Sequence, residues 1–124
     1  MPFTISYQED ERIVIIENVG NIPYKDLVQQ TDEALELGRI KDTRLYLADC
    51  IRLVVQADAF EVFNFFPAIY EKIGAPRNSR LAVLMSEDAV TAKDMEFYET
   101  ICRNRGWQIR VFKDKGTAME WLLG

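Results

Sequence analysis

Three helical patterns in this chain each reach a glycine that is followed within a few residues by a short apolar run. Gly38 precedes Leu45-Tyr46-Leu47-Ala48, Gly74 precedes Arg80 to Met85, and Gly106 precedes Trp107, Ile109 and Val111. Glycine is the usual helix stop because it takes up left-handed backbone without a Cβ penalty. The same α-turn-β unit therefore recurs without recurrence of its sequence, which constrains the chain to an α/β fold whose strands pair in parallel through crossovers. No Pro/Gly/Ser-rich linker or low-complexity segment divides the 124 residues, so a single domain over 1–124 is expected.

The rest of the chain fits that frame. Phe3, Ile5 and Tyr7 alternate with polar residues as in a strand with one wet face, and Glu9-Asp10-Glu11 turns it back into Ile13-Val14-Ile15-Ile16. That return run is apolar on both sides and suits a strand covered on both faces. Pro23 opens the first helix, with Leu27, Val28, Ala34, Leu35 and Leu37 on its apolar side and Gly38 as its stop. The next strand is expected to end near Asp49. Asp58 and Glu61 form a capping box for a second helix reaching about Lys72, with a kink or break after Phe66 because Pro67 lacks a backbone donor. Ser86 or Thr91 is expected to cap a third helix to about Asn104, and Ala118, Trp121 and Leu122 turn a terminal helix inward. The expected order is β-β-α-β-α-β-α-β-α, with a mixed, mostly parallel sheet and packed helices.

Composition removes several activities. Lys plus Arg is 15 and Asp plus Glu is 20, so the net charge of −5 opposes general attraction to nucleic acid or anionic lipid. Arg77, Arg80, Arg103, Arg105 and Arg110 are read as scattered surface charge. There is no histidine, the commonest general base and metal ligand. Cys50 and Cys102 have no metal-ligand or redox spacing and are expected to be buried free thiols. The isolated glycines assemble neither a P-loop nor a dinucleotide fingerprint, so no cofactor is expected. Acidic residues arrive by Glu9, against a signal peptide, and the longest greasy run, Val62 to Tyr70, is short and broken by Asn64 and Pro67. A cytoplasmic protein without membrane insertion is expected.

The Ile13 to Ile16 strand, the Leu45-Tyr46-Leu47-Ala48-Asp49 strand leading to Asp58, and the closing Lys115-Gly116-Thr117-Ala118-Met119-Glu120-Trp121-Leu122 together resemble the SpoIIAA-like or STAS fold. The likeness is to the small stand-alone bacterial proteins of uncharacterised function and covers essentially the whole chain. In the anti-sigma-factor antagonists of that superfamily, the loop before the second helix carries an Asp-Ser-Ser-Gly motif whose serine is phosphorylated. The stretch at that place here is Gln56-Ala57-Asp58-Ala59, with no hydroxyl. The resemblance thus implies the fold without the phosphoserine switch, and Asp58 is read as a helix cap.

Ligands of open α/β sheets gather beyond the carboxyl ends of strands, which makes Asp49, Asp58 and Ser86 a candidate regulatory loop, with Cys50 beside them. Asp49 with Glu61 or Asp88 can form a carboxylate pair, yet no nucleophile motif accompanies it and no enzyme is expected. Cys50 is read as an inert core thiol. From Ile51 onward, apolar residues cover most of a helix circumference, so some of them project outward. The expected contact surface is the loop Ile51 to Gln56 with the helix Phe60 to Ile73, in particular Val54, Val55, Phe60, Phe63, Phe65, Phe66 and Ile69. These features point to a non-enzymatic interaction or regulatory module that forms a homodimer or meets another protein. The alternative is a carrier of a small apolar ligand or lipid, in a pocket lined by Val54, Val55, Phe63 and Phe66. A third class, an enzyme using Asp49 and Cys50, predicts a thiol that alkylates quickly at neutral pH.

Overall fold

In the computed structural model, residues 3–55 and 68–124 are described. Alternating side chains send Ile13 to one face of the sheet and Val14 and Ile16 to the other, as the two-sided apolar run requires. The strands are β1 (Phe3–Gln8), β2 (Ile13–Asn21), β3 (Leu45–Val54), β4 (Arg80–Leu84) and β5 (Gln108–Phe112). They form one sheet in the order β1-β2-β3-β4-β5; β1 and β2 are antiparallel and every other pair is parallel. Helices α1 (Tyr24–Lys41) and α3 (Ala89–Asn104) and a helical stretch α2 over residues 68–72 cover one face. Helix α4 (Lys115–Leu123) covers the other, where Ala118 and Leu122 pack on Ile13, Leu47, Ala82 and Leu84. The α/β class and the mixed, mostly parallel sheet agree with the sequence reading. Asp58, Glu61 and the Pro67 kink lie outside the described residues.

Three helix ends share one hydrogen-bond pattern, a six-residue closure in which Thr43 N–H donates to Gly38, Ala75 N–H to Tyr70 and Trp107 N–H to Cys102. The left-handed residue inside that closure is Gly74 (φ 76°) and Gly106 (φ 87°) in the later two, as expected. In the first it is Asp42 (φ 54°), one turn beyond the glycine. Gly38 is therefore a correction: it lies inside α1 and does not end it. Its purpose is close approach, since a Cβ at this position would run into the Tyr46 hydroxyl and lie 2.8 Å from Tyr46 Cζ.

Strand β3 also departs from expectation. It continues through Ile51–Val54, so the expected Ile51 to Gln56 loop is strand for its first four residues. Asn18 of β2 faces two residues of β3, Cys50 and Ile51, because Glu17 pairs with Asp49 whereas Val19 pairs with Arg52. This bulge shifts the alternation, so that Tyr46, Ala48 and Cys50 share a face with Leu53. The lost period, with polar Asp49 and Arg52, is the reason the sequence reads as a strand end at Asp49. The Asp49 carboxylate accepts from Ile51 N–H at 3.2 Å and satisfies a donor beside the bulge.

The cap of α3 is Asp88, not Ser86 or Thr91: its carboxylate accepts from Thr91 N–H at 3.0 Å and from the Thr91 hydroxyl at 2.8 Å. Ser86 and Thr91 instead tie down the tail of β3. Ser86 Oγ donates to Leu53 O at 2.6 Å while accepting from Asp88 N–H, and Thr91 Oγ1 accepts from Val55 N–H at 3.0 Å.

Candidate functional site

The α1/α3 face of the sheet buries polar side chains within its apolar core. Asn18, raised on β2 opposite the bulge, and Gln30 of α1 exchange amide hydrogen bonds of 2.7 and 3.2 Å, and Asn18 also reaches Cys50 Sγ at 3.5 Å. Tyr70 of α2 and Tyr98 of α3 meet through their hydroxyls. Burial raises both phenols above their ordinary range. It also pushes the thiols of Cys50 and Cys102 up to about 12, so both are protonated at neutral pH. Both cysteines are free and buried, as the spacing implied.

Two cavities of about 70 Å³ each lie along this face and share Ile16, Thr31, Tyr70 and Leu81 as walls. The first is lined by Ala34 and Leu35 of α1, by Ala75 and Ser79 of the α2–β4 connection, and by Trp107 and Ile109 at β5. The second includes Asn18, Gln30, Cys50, Met95 and Tyr98. Among the described residues, Ser79 Oγ and Trp107 Nε1 are buried without a hydrogen-bond partner, and both residues line the first cavity. Trp107 is only 6% exposed; Tyr70 meets its ring edge-on at 5.6 Å, and the Arg77 guanidinium sits 4.0 Å from its centroid. Arg77 is otherwise engaged by Glu71 at 2.7 Å and by the Arg105 carbonyl.

The residues singled out from sequence are distributed differently. Val55 is in the core, Val54 and Ile69 are half-buried, and Phe60, Phe63, Phe65, Phe66 and Asp58 lie outside the described residues. Asp49 is held to its own strand and Ser86 is buried with its hydroxyl used on both sides. The Asp88 carboxyl is lowered by its bonds from Thr91, as a cap. Of the five arginines, Arg103 and Arg110 share a cleft of about 390 Å³ with Trp107 and Trp121, so they are less scattered than expected. Arg80 lies over Trp121 at 5.6 Å and donates to its carbonyl at 3.0 Å. Sequence reading missed Ser79, Trp107, Asn18 and Gln30. Trp107 reads as an inward strand residue either way, and nothing in its sequence neighbourhood reports that its N–H lacks an acceptor.

Among the described residues, no helix is long and apolar enough to cross a membrane, and no group of three or more acidic and cysteine side chains is placed to hold a metal ion. No family model matches the chain, and no curated protein matches it. The crystal structure of an uncharacterized DUF3478-family protein from Shewanella loihica PV-4, described as having a SpoIIAA-like fold, does match. It is 17% identical, has a TM-score of 0.57, and the match covers 97% of this chain and 91% of that one. With the antiparallel β1–β2 pair leading into parallel strands and, among the described residues, α4 as the helix on the far face, the fold of this chain is SpoIIAA-like.

Proposed function

We propose that this chain is a non-enzymatic binding module that takes a small apolar molecule into the cavity between the sheet and α1. One observation carries the reading: an apolar cavity has two buried, unpartnered polar groups, Trp107 Nε1 and Ser79 Oγ, on its wall. Buried polar groups in native folds nearly always have partners, so unpaired ones at a cavity mark a place where a partner can be supplied. The non-enzymatic reading is supported by thiols that burial keeps protonated and by carboxylates, Asp49 and Asp88, already engaged by backbone N–H groups. The net charge of −5 supports a module that binds neither nucleic acid nor membrane, and a cytoplasmic setting is part of the same proposal.

A homodimer is the second reading. It is favoured by Val90 of α3, 67% exposed, and by the surplus of apolar residues in the sequence that follows Ile51. Native mass spectrometry of freshly purified protein tests both readings in one spectrum. Extra non-covalent mass on the chain supports the carrier, and a dimer of bare chains supports the interaction module. A bare monomer that also takes up none of the apolar probes described below overturns both.

A further inference from the structure

The walls of the first cavity restrict what it can hold. Ile16, Ala34, Leu35, Ala75, Leu81 and Ile109 are apolar, and among its described lining residues none is charged. A ligand carboxylate or ammonium would therefore be desolvated there without a counter-charge, which is strongly unfavourable. Arg77, the cation beside Trp107, is stacked on its ring and bound to Glu71. An indole N–H can only donate, so its missing partner is an acceptor. Ser79 Oγ–H, on the wall of the same cavity, is a second donor without a partner among the described residues. Thr31 cannot compete for that acceptor, because its hydroxyl already donates to Leu27 O at 2.9 Å. A cavity of about 70 Å³ is about half the roughly 150 Å³ known to hold a benzene ring, so a ring-sized ligand must extend from it into the adjoining cavity of equal size.

On the reading of this cavity as a ligand site, we infer that its ligand is an uncharged, largely apolar molecule bearing one acceptor oxygen of the ketone, ester or amide kind. The oxygen is set by Trp107 Nε1–H with Ser79 Oγ–H, and the apolar part lies along Ile16 and Leu81 toward the second cavity. Specificity then comes from the acceptor and affinity from the apolar walls. A site built around a buried donor rejects an isostere lacking the acceptor, because the donor is left unpaired.

The test uses acetophenone, its near-isostere α-methylstyrene, and benzoate, titrated into the intact chain while the indole N–H resonances are followed by ¹H–¹⁵N NMR. The Trp107 signal is assigned by its loss in Trp107→Phe. Acetophenone is expected to bind about tenfold more tightly than α-methylstyrene and to move the Trp107 indole proton downfield, with benzoate the weakest of the three. Trp107→Phe removes the preference and leaves α-methylstyrene affinity within about twofold. If that variant fails to fold, Ser79→Ala, which keeps the indole, is expected to reduce the preference while retaining the shift. Equal binding of ketone and alkene with no indole shift overturns the acceptor assignment while leaving the cavity a binding site. No binding of any probe overturns the site and the assignment together.

Discussion

The two faces of the sheet are made from the same strands by alternate residues, yet they are built on different terms. On the α4 face, Ile13, Leu47, Ala82, Leu84, Ala118 and Leu122 form a wholly apolar buried cluster. On the α1/α3 face, the buried set includes Asn18, Gln30 and Thr91 as well as the Tyr70–Tyr98 pair, and both of the 70 Å³ cavities lie there. Desolvating such polar groups is unfavourable unless each is bonded, and among the described residues Ser79 Oγ and Trp107 Nε1 are the buried side-chain atoms left without a partner. The contrast teaches that the two faces handle buried polarity differently, the α4 cluster excluding it and the α1/α3 face pairing it. The α1/α3 face also holds two cavities and, among the described residues, two unpaired polar groups, the combination on which the proposed binding reading rests.

The largest expected effect breaks or upholds the first half of that contrast. Leu47, 2% exposed at the centre of the α4 cluster, should lose about 3 kcal/mol on Leu47→Ala in a chemical denaturation series. A loss below about 1 kcal/mol would mean that this core is as loose as the other and that the two faces do not differ. Next comes enlargement. Ala118, wholly buried where α4 packs on the sheet, sits in a close-packed apolar cluster, so Ala118→Leu should cost about 2 kcal/mol. Ala34, equally buried but on a cavity wall, should tolerate Ala34→Val at under about 1 kcal/mol, with loss of acetophenone binding. Equal penalties at the two alanines would show that the cavity closes in solution.

The asymmetry explains what could be read in advance. The α-turn-β repeat was legible because hydrophobic period and helix stops are local, and the α4 face was legible because Ala118 and Leu122 need only face inward. Gly38 misled because a glycine used for close approach to Tyr46 looks the same in sequence as one used to end a helix. The end of β3 misled because a bulge at Cys50 and Ile51 breaks the period-two pattern while the hydrogen-bonded ladder continues. The cavity was not legible at all. It depends on whether Trp107 Nε1 meets an acceptor across the sheet, a tertiary fact that no spacing encodes, whereas half of the residues the sequence put forward, Asp58, Phe60, Phe63, Phe65 and Phe66, lie outside the described residues.

The two thiols probe the same face by titration. Burial raises Cys50 and Cys102 from 9.0 to about 12, so the folded chain holds their protons when the unfolded chain has released them. The stabilising contribution is therefore complete below pH 9 and is lost as pH rises from 9 toward 12, with slope set by the proton difference. Unfolding free energy measured across that range should fall steadily, and both thiols should alkylate far more slowly at pH 8 in the native protein than in denaturant. Rapid native labelling of either thiol would revive the enzyme reading at Cys50 or show that the α1/α3 face opens readily.

The smallest effect is the sharpest test, because it compares two serines. Ser86 Oγ bonds Leu53 O and Asp88 N–H, so Ser86→Ala leaves both backbone groups without that partner and should cost about 1–2 kcal/mol. Ser79 Oγ bonds nothing among the described residues, so Ser79→Ala should leave stability unchanged or raise it by up to about 1 kcal/mol, since a desolvated hydroxyl is removed. Differential denaturation of the two variants reads this directly. A loss at Ser79 equal to that at Ser86 would mean that the hydroxyl is satisfied in solution by a bound water. The ligand-facing polarity of the cavity would then reduce to Trp107 Nε1 alone, and the acceptor would be held by one donor instead of two.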